Sequence, residues 1–101
     1  MTTHHPQHEV ELYREDDTYV VVVELPDAQR EAIDVDWTEG HLNIAAEVAA
    51  DDRRRVMTRR LSFPKEIDPD GISAAYDDGV LEITLPIVGE QRPQALRIDV
   101  Q

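Results

Sequence analysis

The stretch that decides the fold is Ala74-Ala-Tyr-Asp-Asp-Gly-Val-Leu81, which runs on into Glu82-Ile-Thr-Leu-Pro86. Its centre, Asp78-Gly79, is a strong two-residue hairpin signal because both residue types tolerate the positive φ of such a turn. Apolar residues alternate with other residues on both sides of the turn, as expected for strands with one buried face. They are Ile72, Ala74 and Tyr76 before the turn and Leu81, Ile83 and Leu85 after it.

The same period of two extends outward along the chain. Thr18–Leu25 is a β-branched run long enough for one well-buried strand. Asp16-Asp17 and Glu39-Gly40 stand where further turns are expected, and the six prolines lie between or at the ends of strand candidates. The other strand candidates are marked by Val10 and Leu12; Ile33, Val35 and Trp37; Leu42, Ile44 and Ala46; Met57, Leu61 and Phe63; and Leu96, Ile98 and Val100.

No stretch keeps a helical period. Asp27–Ala32 is compatible with a single helical turn, and Val48–Asp52 has the weakest pattern of all. Seven or eight short strands without a long helix predict an all-β protein, an antiparallel β-sandwich with an immunoglobulin-like arrangement. The length of 101 residues leaves room for one domain and one core.

The charge balance is strongly acidic. The chain has 22 acidic and 10 basic residues, and Lys65 is its single lysine. A polyanion repels phosphate backbones and anionic lipid, so we expect neither nucleic acid nor membrane as a partner. The acidity either keeps the protein soluble or reflects adaptation to a salt-rich cytoplasm, where ions screen the repulsion among the acidic residues. The scarcity of lysine favours the second, halophilic interpretation.

Several classes of site are not indicated. There is no cysteine, and His4, His5 and His8 fall in a segment predicted to be disordered, so we expect no metal site and no cofactor. No phosphate loop or nucleophile motif is present, and the carboxylates are scattered, so an enzyme is not expected. No apolar run or signal peptide appears, which predicts a cytoplasmic protein.

Three stretches resemble the alpha-crystallin domain of the small heat-shock protein family. Ala74–Leu81 is similar to the family's A-x-x-x-N-G-V-L signature, with Asp78 in place of asparagine. Val21–Pro26 resembles the V-x-x-x-L-P-G segment, with Asp27 in place of glycine. Arg59–Pro64 is similar to R-x-F-x-L-P, and the three stretches occur in the family's order over about residues 10–100.

The resemblance implies an ATP-independent holdase that binds partly unfolded proteins and suppresses their aggregation. It divides the chain into a short disordered N-terminal arm (1–9), the alpha-crystallin domain (10–86), and a hinge and C-terminal tail (87–101). An adaptor for one specific partner, of the co-chaperone CS type or associated with gas vesicles, is the alternative.

The resemblance also assigns roles in assembly. It implies that Arg59 lies in a dimer interface and pairs with carboxylates. The alternatives are that the stem of Arg59 snorkels out at a sandwich edge, or that the predicted register is wrong by one residue. Ile98-Asp-Val100 resembles the C-terminal I-x-I/V motif, which docks onto a neighbouring subunit; a last strand folded onto its own domain is the alternative. The predicted assembly residues are Met57, Arg59, Leu61, Phe63, Ile98 and Val100.

A groove for this tail or for an extended client segment is predicted between the Ile33–Trp37 and Ile72–Tyr76 strands. Its predicted residues are Ile33, Val35, Trp37, Ile72, Ala74 and Tyr76, all of which also suit an ordinary sandwich core. The signature turn consists of Asp78, Gly79, Val80 and Leu81.

The chain departs from the family at two places. The arm before Val10 is short, and so is the connection between Glu47 and Met57. Attraction of anionic partners is one interpretation of the run Asp51–Arg55 in this connection, and a solvated loop is the ordinary one, which we adopt. The exchange of a strand between subunits is therefore not expected. A dimer or small oligomer is predicted instead, and pairing along the Val56–Phe63 strand is an alternative contact.

Overall fold

The computed structural model describes residues 10–89, which form two antiparallel sheets. One sheet has the strand order β1-β2-β7-β6 and the other has the order β3-β4-β5. The predicted all-β sandwich is confirmed, with seven strands in this part of the chain. The strands are β1 (Val10–Glu15), β2 (Thr18–Glu24), β3 (Ala28–Thr38), β4 (His41–Ala50), β5 (Arg53–Leu61), β6 (Ser73–Asp77) and β7 (Val80–Pro86).

Two-residue turns join four of the strand pairs. The three predicted turns at Asp16-Asp17, Glu39-Gly40 and Asp78-Gly79 are all present. Asp16, Glu39 and Asp78 adopt positive φ, as does Asp51 in a fourth turn. The short polar side chain of aspartate accepts this conformation more readily than branched ones do, and aspartate fills three of the four positions.

The core lies between the two sheets and is almost wholly aliphatic. Period-two burial is clearest on β4, where Leu42, Ile44 and Ala46 point inward and their neighbours are more exposed. In the middle of its sheet, β2 contributes a nearly continuous buried run. The buried residues are Tyr19, Val20, Val21, Val23, Leu25, Leu42, Ile44, Ala46, Val48, Met57, Ile67, Leu81, Ile83, Leu85 and Ile87.

The single helical turn with which Asp27–Ala32 is compatible does not form. The chain is already in β3 at Ala28, which pairs with Val48, and the register then shifts before Ile33 pairs with Ala46. A single helical turn satisfies few of its own backbone groups, whereas the extended chain is paired with β4 at both ends of this segment, through Ala28 and Ile33. The extended alternative prevails for that reason.

The solvated loop predicted around Arg53–Arg55 is also wrong. Strand β4 continues to Ala50 and β5 begins at Arg53, so Asp51-Asp52 alone connects them. The arginines therefore belong to a long hairpin. Their charge hid the strand pattern, because three consecutive exposed arginines leave no apolar alternation to read at the start of β5.

The domain continues past Pro86, where the hinge was predicted to begin. Ile87 is fully buried, forms a bridge with Ile67, and donates its backbone N–H to the carbonyl of Asp17 at 2.9 Å. A short 3-10 turn, Pro69–Gly71, leads into β6, which begins at Ser73 and not at Ile72. No helix among residues 10–89 is long and apolar enough to span a bilayer.

Candidate functional site: a groove between two strand edges

A groove opens on one side of the sandwich, where β3 and β6 form the outer edges of their sheets. Ala74 and Tyr76 of β6 pair with the buried residues Ile83 and Leu81 of β7, so they lie on the inward face. Ala74 is nevertheless exposed. An inward-facing residue that remains exposed marks a place where the opposite sheet does not cover it.

The groove has a volume of about 440 Å³ and is mainly apolar. From β3 it receives Ile33 and Val35, both half-buried, and from β6 it receives Ala74 and Tyr76. Four of the six predicted groove residues thus line one cavity. We call this cavity the edge groove; its lining is completed by Arg30, Ala75 and Leu81.

Tyr76 and Arg30 bridge the two sheets at the groove. The hydroxyl of Tyr76 lies 2.5 Å from the carbonyl oxygen of Leu25 and 2.8 Å from that of Ala28. In return, Nη2 of Arg30 donates to the backbone carbonyl of Tyr76 at 2.7 Å. These bonds link the beginning of β3 to β6, so the spacing of the two strand edges is held by specific contacts.

The signature turn packs directly on the Leu25-Pro26 segment. Asp78 and Gly79 have φ of 53° and 80°, and the Gly79 carbonyl accepts a 2.8 Å hydrogen bond from the Leu25 amide. A Cβ built on Gly79 would lie 3.2 Å from Cα of Pro26. Glycine is required by both the backbone conformation and the close approach. Two of the stretches on which the resemblance depends are therefore in mutual contact.

The turn after Pro26 forms without the glycine that the family's segment carries. Asp27 stands in that place and is not among the residues with positive φ. The Ala28 amide donates to the Leu25 carbonyl at 3.2 Å, which closes the turn.

Trp37 and Ile72 lie away from the edge groove. Trp37 stacks with Phe63 at 6.2 Å between ring centroids, and Phe63 also packs on Tyr19 at 5.2 Å. This aromatic group borders a separate cavity of about 500 Å³ next to Pro64–Ile67. Ile72 precedes β6 and packs against the core.

The predicted assembly residues fall in different environments. Met57 is 4% exposed and belongs to the core, while Leu61 and Phe63 are half-buried against it. Arg59 pairs with the buried Ile44 across the ladder, yet its side chain is exposed and its Nη1 donates to the Thr58 carbonyl at 2.8 Å. The single chain thus presents Arg59 at the surface. Its pairing in a dimer stays a prediction, and Ile98 and Val100 lie outside the described residues.

The electrostatics of the edge groove are simple. Arg30 is the only charged side chain among its lining residues, in a protein with an excess of acids. Away from the groove, on the outer face of the β3-β4-β5 sheet, hydrogen bonds donated by Asn43 and Thr38 lower the pKa of the Asp36 carboxyl. Within residues 10–89 no cluster of histidine and carboxylate side chains is arranged to hold a metal ion. The groove is therefore suited to apolar contact and backbone pairing.

Sequence reasoning missed Arg30, Ala75 and the bridging role of the Tyr76 hydroxyl. Arg30 lies in the segment that was interpreted as a helical turn, so its place on a strand edge was not visible. Tyr76 was counted for its apolar ring, and nothing in the local pattern indicates a hydrogen bond to residues about fifty positions earlier.

Comparison with known proteins agrees with this geometry. The sequence profile of the Hsp20/alpha crystallin family matches residues 11–101. The chain is 30% identical to "18 kDa antigen 2" of Mycobacterium avium over 89% of its own length and 72% of that protein. It is 29% identical to the 18 kDa heat shock protein of Clostridium acetobutylicum, covering 90% of the chain and 69% of the relative.

Solved structures of related proteins share the fold of this chain. Heat shock protein 16.0 from Schizosaccharomyces pombe superposes with a TM-score of 0.77 at 26% identity, covering 96% of this chain and all of that one. A small heat-shock protein from Xylella fastidiosa gives a TM-score of 0.74 at 28% identity, with coverage of 93% and 95%.

These matches do not favour the CS-type or gas-vesicle adaptor alternative. Both the family profile and the structures extend over nearly the whole chain, and the proteins named as heat shock proteins include both sequence relatives and structural neighbours. The chain belongs to the Hsp20/alpha crystallin family and is a small heat shock protein with a chaperone role.

Proposed function

We propose that the edge groove is where this chaperone holds extended apolar segments of partly unfolded proteins. The observation that carries the proposal is the inward-facing apolar lining contributed by half-buried Val35 and exposed Ala74 from two facing strand edges. A strand edge offers backbone donors and acceptors, and the alternate side chains of an added strand would enter the apolar cavity.

The expected binding is weak and reversible. A short segment that buries a few hundred Å² of apolar surface gains about 25 cal/mol per Å², most of which offsets the loss of freedom on association. Such affinity lowers the free concentration of aggregation-prone chains without trapping them. No step in this scheme consumes nucleotide.

The tail motif Ile98-Asp-Val100 is proposed to occupy the same groove, either in its own subunit or in a neighbour. Its two branched side chains are two residues apart, which is the spacing that an added strand presents to one face. Tail and client would then compete, and assembly into a dimer or small oligomer would regulate how many grooves are open.

The test of the groove is a matched pair of substitutions on β6. Ala74→Arg places a bulky cation inside the groove, whereas Ser73→Arg adds the same side chain at an exposed position on the same strand, outside the lining. Light scattering of a heat-denatured model client, without nucleotide, should show several-fold weaker suppression for Ala74→Arg alone. Equal suppression by both variants would remove the groove from the mechanism.

A second experiment tests the assembly residues. Arg59→Gly should change the solution mass or lower the melting temperature if Arg59 pairs with carboxylates across a dimer, and Arg60→Gly serves as the control on the same strand. The tail is tested with a chain ending at Gly89, because the buried Ile87 makes an earlier end destructive. Unchanged mass and melting temperature for Arg59→Gly would contradict the role of Arg59, and unchanged mass for the shortened chain would contradict the role of the tail.

We also propose that the protein works in the cytoplasm of a cell with high internal salt. The support is the balance of 22 acids against 10 cations, of which nine are arginines. At about 1 M salt the Debye length falls to about 3 Å, so the self-repulsion of the acids is screened. Thermal unfolding should then shift to higher temperature between low and molar NaCl, and a fall would reject the proposal.

A further inference from the structure

The cavity beside the stacked rings of Trp37 and Phe63 lies apart from the edge groove, and the proposed function does not use it. Its volume is about 500 Å³, and its lining also includes Pro64 and Pro69. Both aromatic side chains are only half-buried, so part of each ring is open to contact. Grooves lined by aromatic rings are a common site for extended segments that contain proline. We call this site the aromatic cavity.

The chain that follows β7 runs along the wall of the aromatic cavity. Ile87 forms an antiparallel bridge with Ile67. The Val88 amide then donates to the Glu66 carbonyl at 2.8 Å. In an antiparallel pair, each step forward on one strand is a step back on the other. The chain beyond Val88 is therefore directed toward Pro64, which belongs to the lining, as does Glu66.

The antiparallel pairing stops at Gly89. Pro64, which a continued strand would soon reach, has no backbone N–H to donate. Gly89 has φ of 88°, a conformation that glycine adopts without strain. A Cβ added at Gly89 would meet nothing within 4 Å. The chain therefore bends beside the aromatic cavity, in open space.

The sequence after this bend suits the cavity. It reads Glu90-Gln-Arg-Pro93. Pro93 is four residues beyond Gly89, so the two are at most about 14 Å apart. The ring of proline fixes φ and holds the preceding residue extended, which lowers the entropy lost when the segment is ordered. Arg92 brings a cation toward a lining that includes the exposed carboxylate of Glu66.

We propose that the aromatic cavity binds residues 90–94 of the same chain, with Pro93 packed on the rings of Trp37 and Phe63. This contact anchors the beginning of the tail to the domain. It goes beyond the proposed function, since the aromatic cavity and the edge groove have no lining residue in common.

The anchor has a consequence for the tail motif. Fixing Pro93 to the domain shortens the span that links the domain to Ile98-Asp-Val100. A shorter span limits how far the motif reaches and raises its local concentration within that reach.

The same chain is a better occupant than another protein. Val88 is hydrogen-bonded to a residue of the cavity lining, so the segment after Gly89 has a high local concentration at the cavity whatever the protein concentration. A separate peptide of this size would have to offset the loss of freedom on association with only a few contacts.

The fluorescence of Trp37 tests the proposal, because Trp37 is the single tryptophan of the chain and lines the cavity. Acrylamide should quench Trp37 about twofold more strongly in a chain ending at Gly89 than in the full chain, since the indole ring loses its cover. Pro93→Gly in the full chain should give most of this increase. Gln94→Gly, one residue further on, is the matched control and should leave the quenching unchanged.

A second measurement reports the contact directly. Proton NMR of the full chain should show nuclear Overhauser effects between the Pro93 ring and the rings of Trp37 or Phe63. The quenching of the full chain should also be independent of protein concentration, because the segment and the cavity belong to one molecule.

Two further variants separate this proposal from the edge groove. Ala74→Arg, which blocks the groove, should leave the quenching of Trp37 unchanged. The double variant Ile98→Ser with Val100→Ser removes the tail motif and should also leave it unchanged. Weaker client suppression by Ala74→Arg, measured separately, bears on the groove alone.

Three results would overturn the proposal. Equal quenching of the full and shortened chains would leave the cavity without this occupant. Protection of Trp37 that grows with protein concentration would assign the cover to a neighbouring molecule. Protection that is lost in the Ile98→Ser, Val100→Ser variant would assign it to the tail motif instead of Pro93.

Discussion

The two open sides of this sandwich expose the same kind of backbone and protect it differently. On one side, the edges of β3 and β6 face each other across an apolar groove that Tyr76 and Arg30 bridge. On the other side of the β3-β4-β5 sheet, β5 is the outer strand and carries arginine on both of its faces. The groove side is suited to contact with apolar strands, whereas the charged β5 side is not.

The difference between these two edges indicates how a small chaperone limits its own aggregation. Any exposed strand edge is able to template another strand, and proteins blunt such edges with charge or cover. Here five arginines lie on the β5 edge, while the edge groove between β3 and β6 has a mainly apolar lining. The following changes break or sharpen that contrast, in order of expected effect.

The largest expected effect is at the signature turn that closes the groove side. Gly79→Ala should lower the free energy of unfolding by about 2–4 kcal/mol, since positive φ costs about 1–2 kcal/mol and crowding against Pro26 adds to it. Gly40→Ala is the matched control, because Gly40 has φ of 81° but nothing within 4 Å of the added Cβ. Urea denaturation measures both, and equal losses would show that the contact with Pro26 contributes nothing.

The bridge across the groove should matter next. Tyr76→Phe removes the hydroxyl that reaches the Leu25 and Ala28 carbonyls, and should cost about 1–2 kcal/mol because these carbonyls lose a partly buried hydrogen bond. Tyr13→Phe, where the hydroxyl donates to exposed Glu11, is the control and should be close to neutral. Thermal unfolding compares the two; a neutral Tyr76→Phe would mean that packing alone sets the strand spacing.

On the β5 side, single charges should contribute little to stability. Arg54→Gln breaks an exposed ion pair with Glu47, 3.5 Å long, and should change the free energy of unfolding by less than about 0.5 kcal/mol. Whatever effect appears at low salt should disappear at molar salt, where the charges are screened. A large, salt-independent loss would mean that the arginines of β5 serve the fold and not the surface.

The smallest expected effect concerns Asp36 on the outer face of the same sheet. Asn43→Ala removes the main hydrogen bond that lowers the pKa of Asp36, so this pKa should rise toward its ordinary value of 3.8 in an NMR titration. With a lowered folded pKa, the contribution to stability is present above the unfolded pKa and is lost as the pH falls through the folded value. Acid unfolding of Asn43→Ala should therefore show less of this loss, and an unmoved pKa would assign the shift to Thr38 instead.

Much of the fold was predictable because its signals are local. Alternation along β4 and β7, and the turns at Glu39-Gly40 and Asp78-Gly79, each depend on neighbouring residues only. The failures share a different cause. Ala28–Ala32 and Arg53–Arg55 have no periodic pattern of their own. Both lie in strands because β4 between them pairs with Ala28 and Ile33 on one side and with all three arginines on the other.

The candidate site was predictable in part for the same reason. Ile33, Val35, Ala74 and Tyr76 were assigned to one groove from two separate strands, and they do line one cavity. Trp37 has the same alternation but turns toward Phe63, and Met57 enters the core, because packing partners are set by the layer opposite and not by the period.

The sequence by itself determined the strands with one buried face, the hairpin turns and the family, since each depends on side chains close together along the chain. Only the tertiary structure decided that β3 and β6 leave a gap between their edges, that Tyr76 and Arg30 span it, and that five arginines share one open edge. Those features depend on which strands are neighbours in space, and strand pairing joins residues that are distant in sequence.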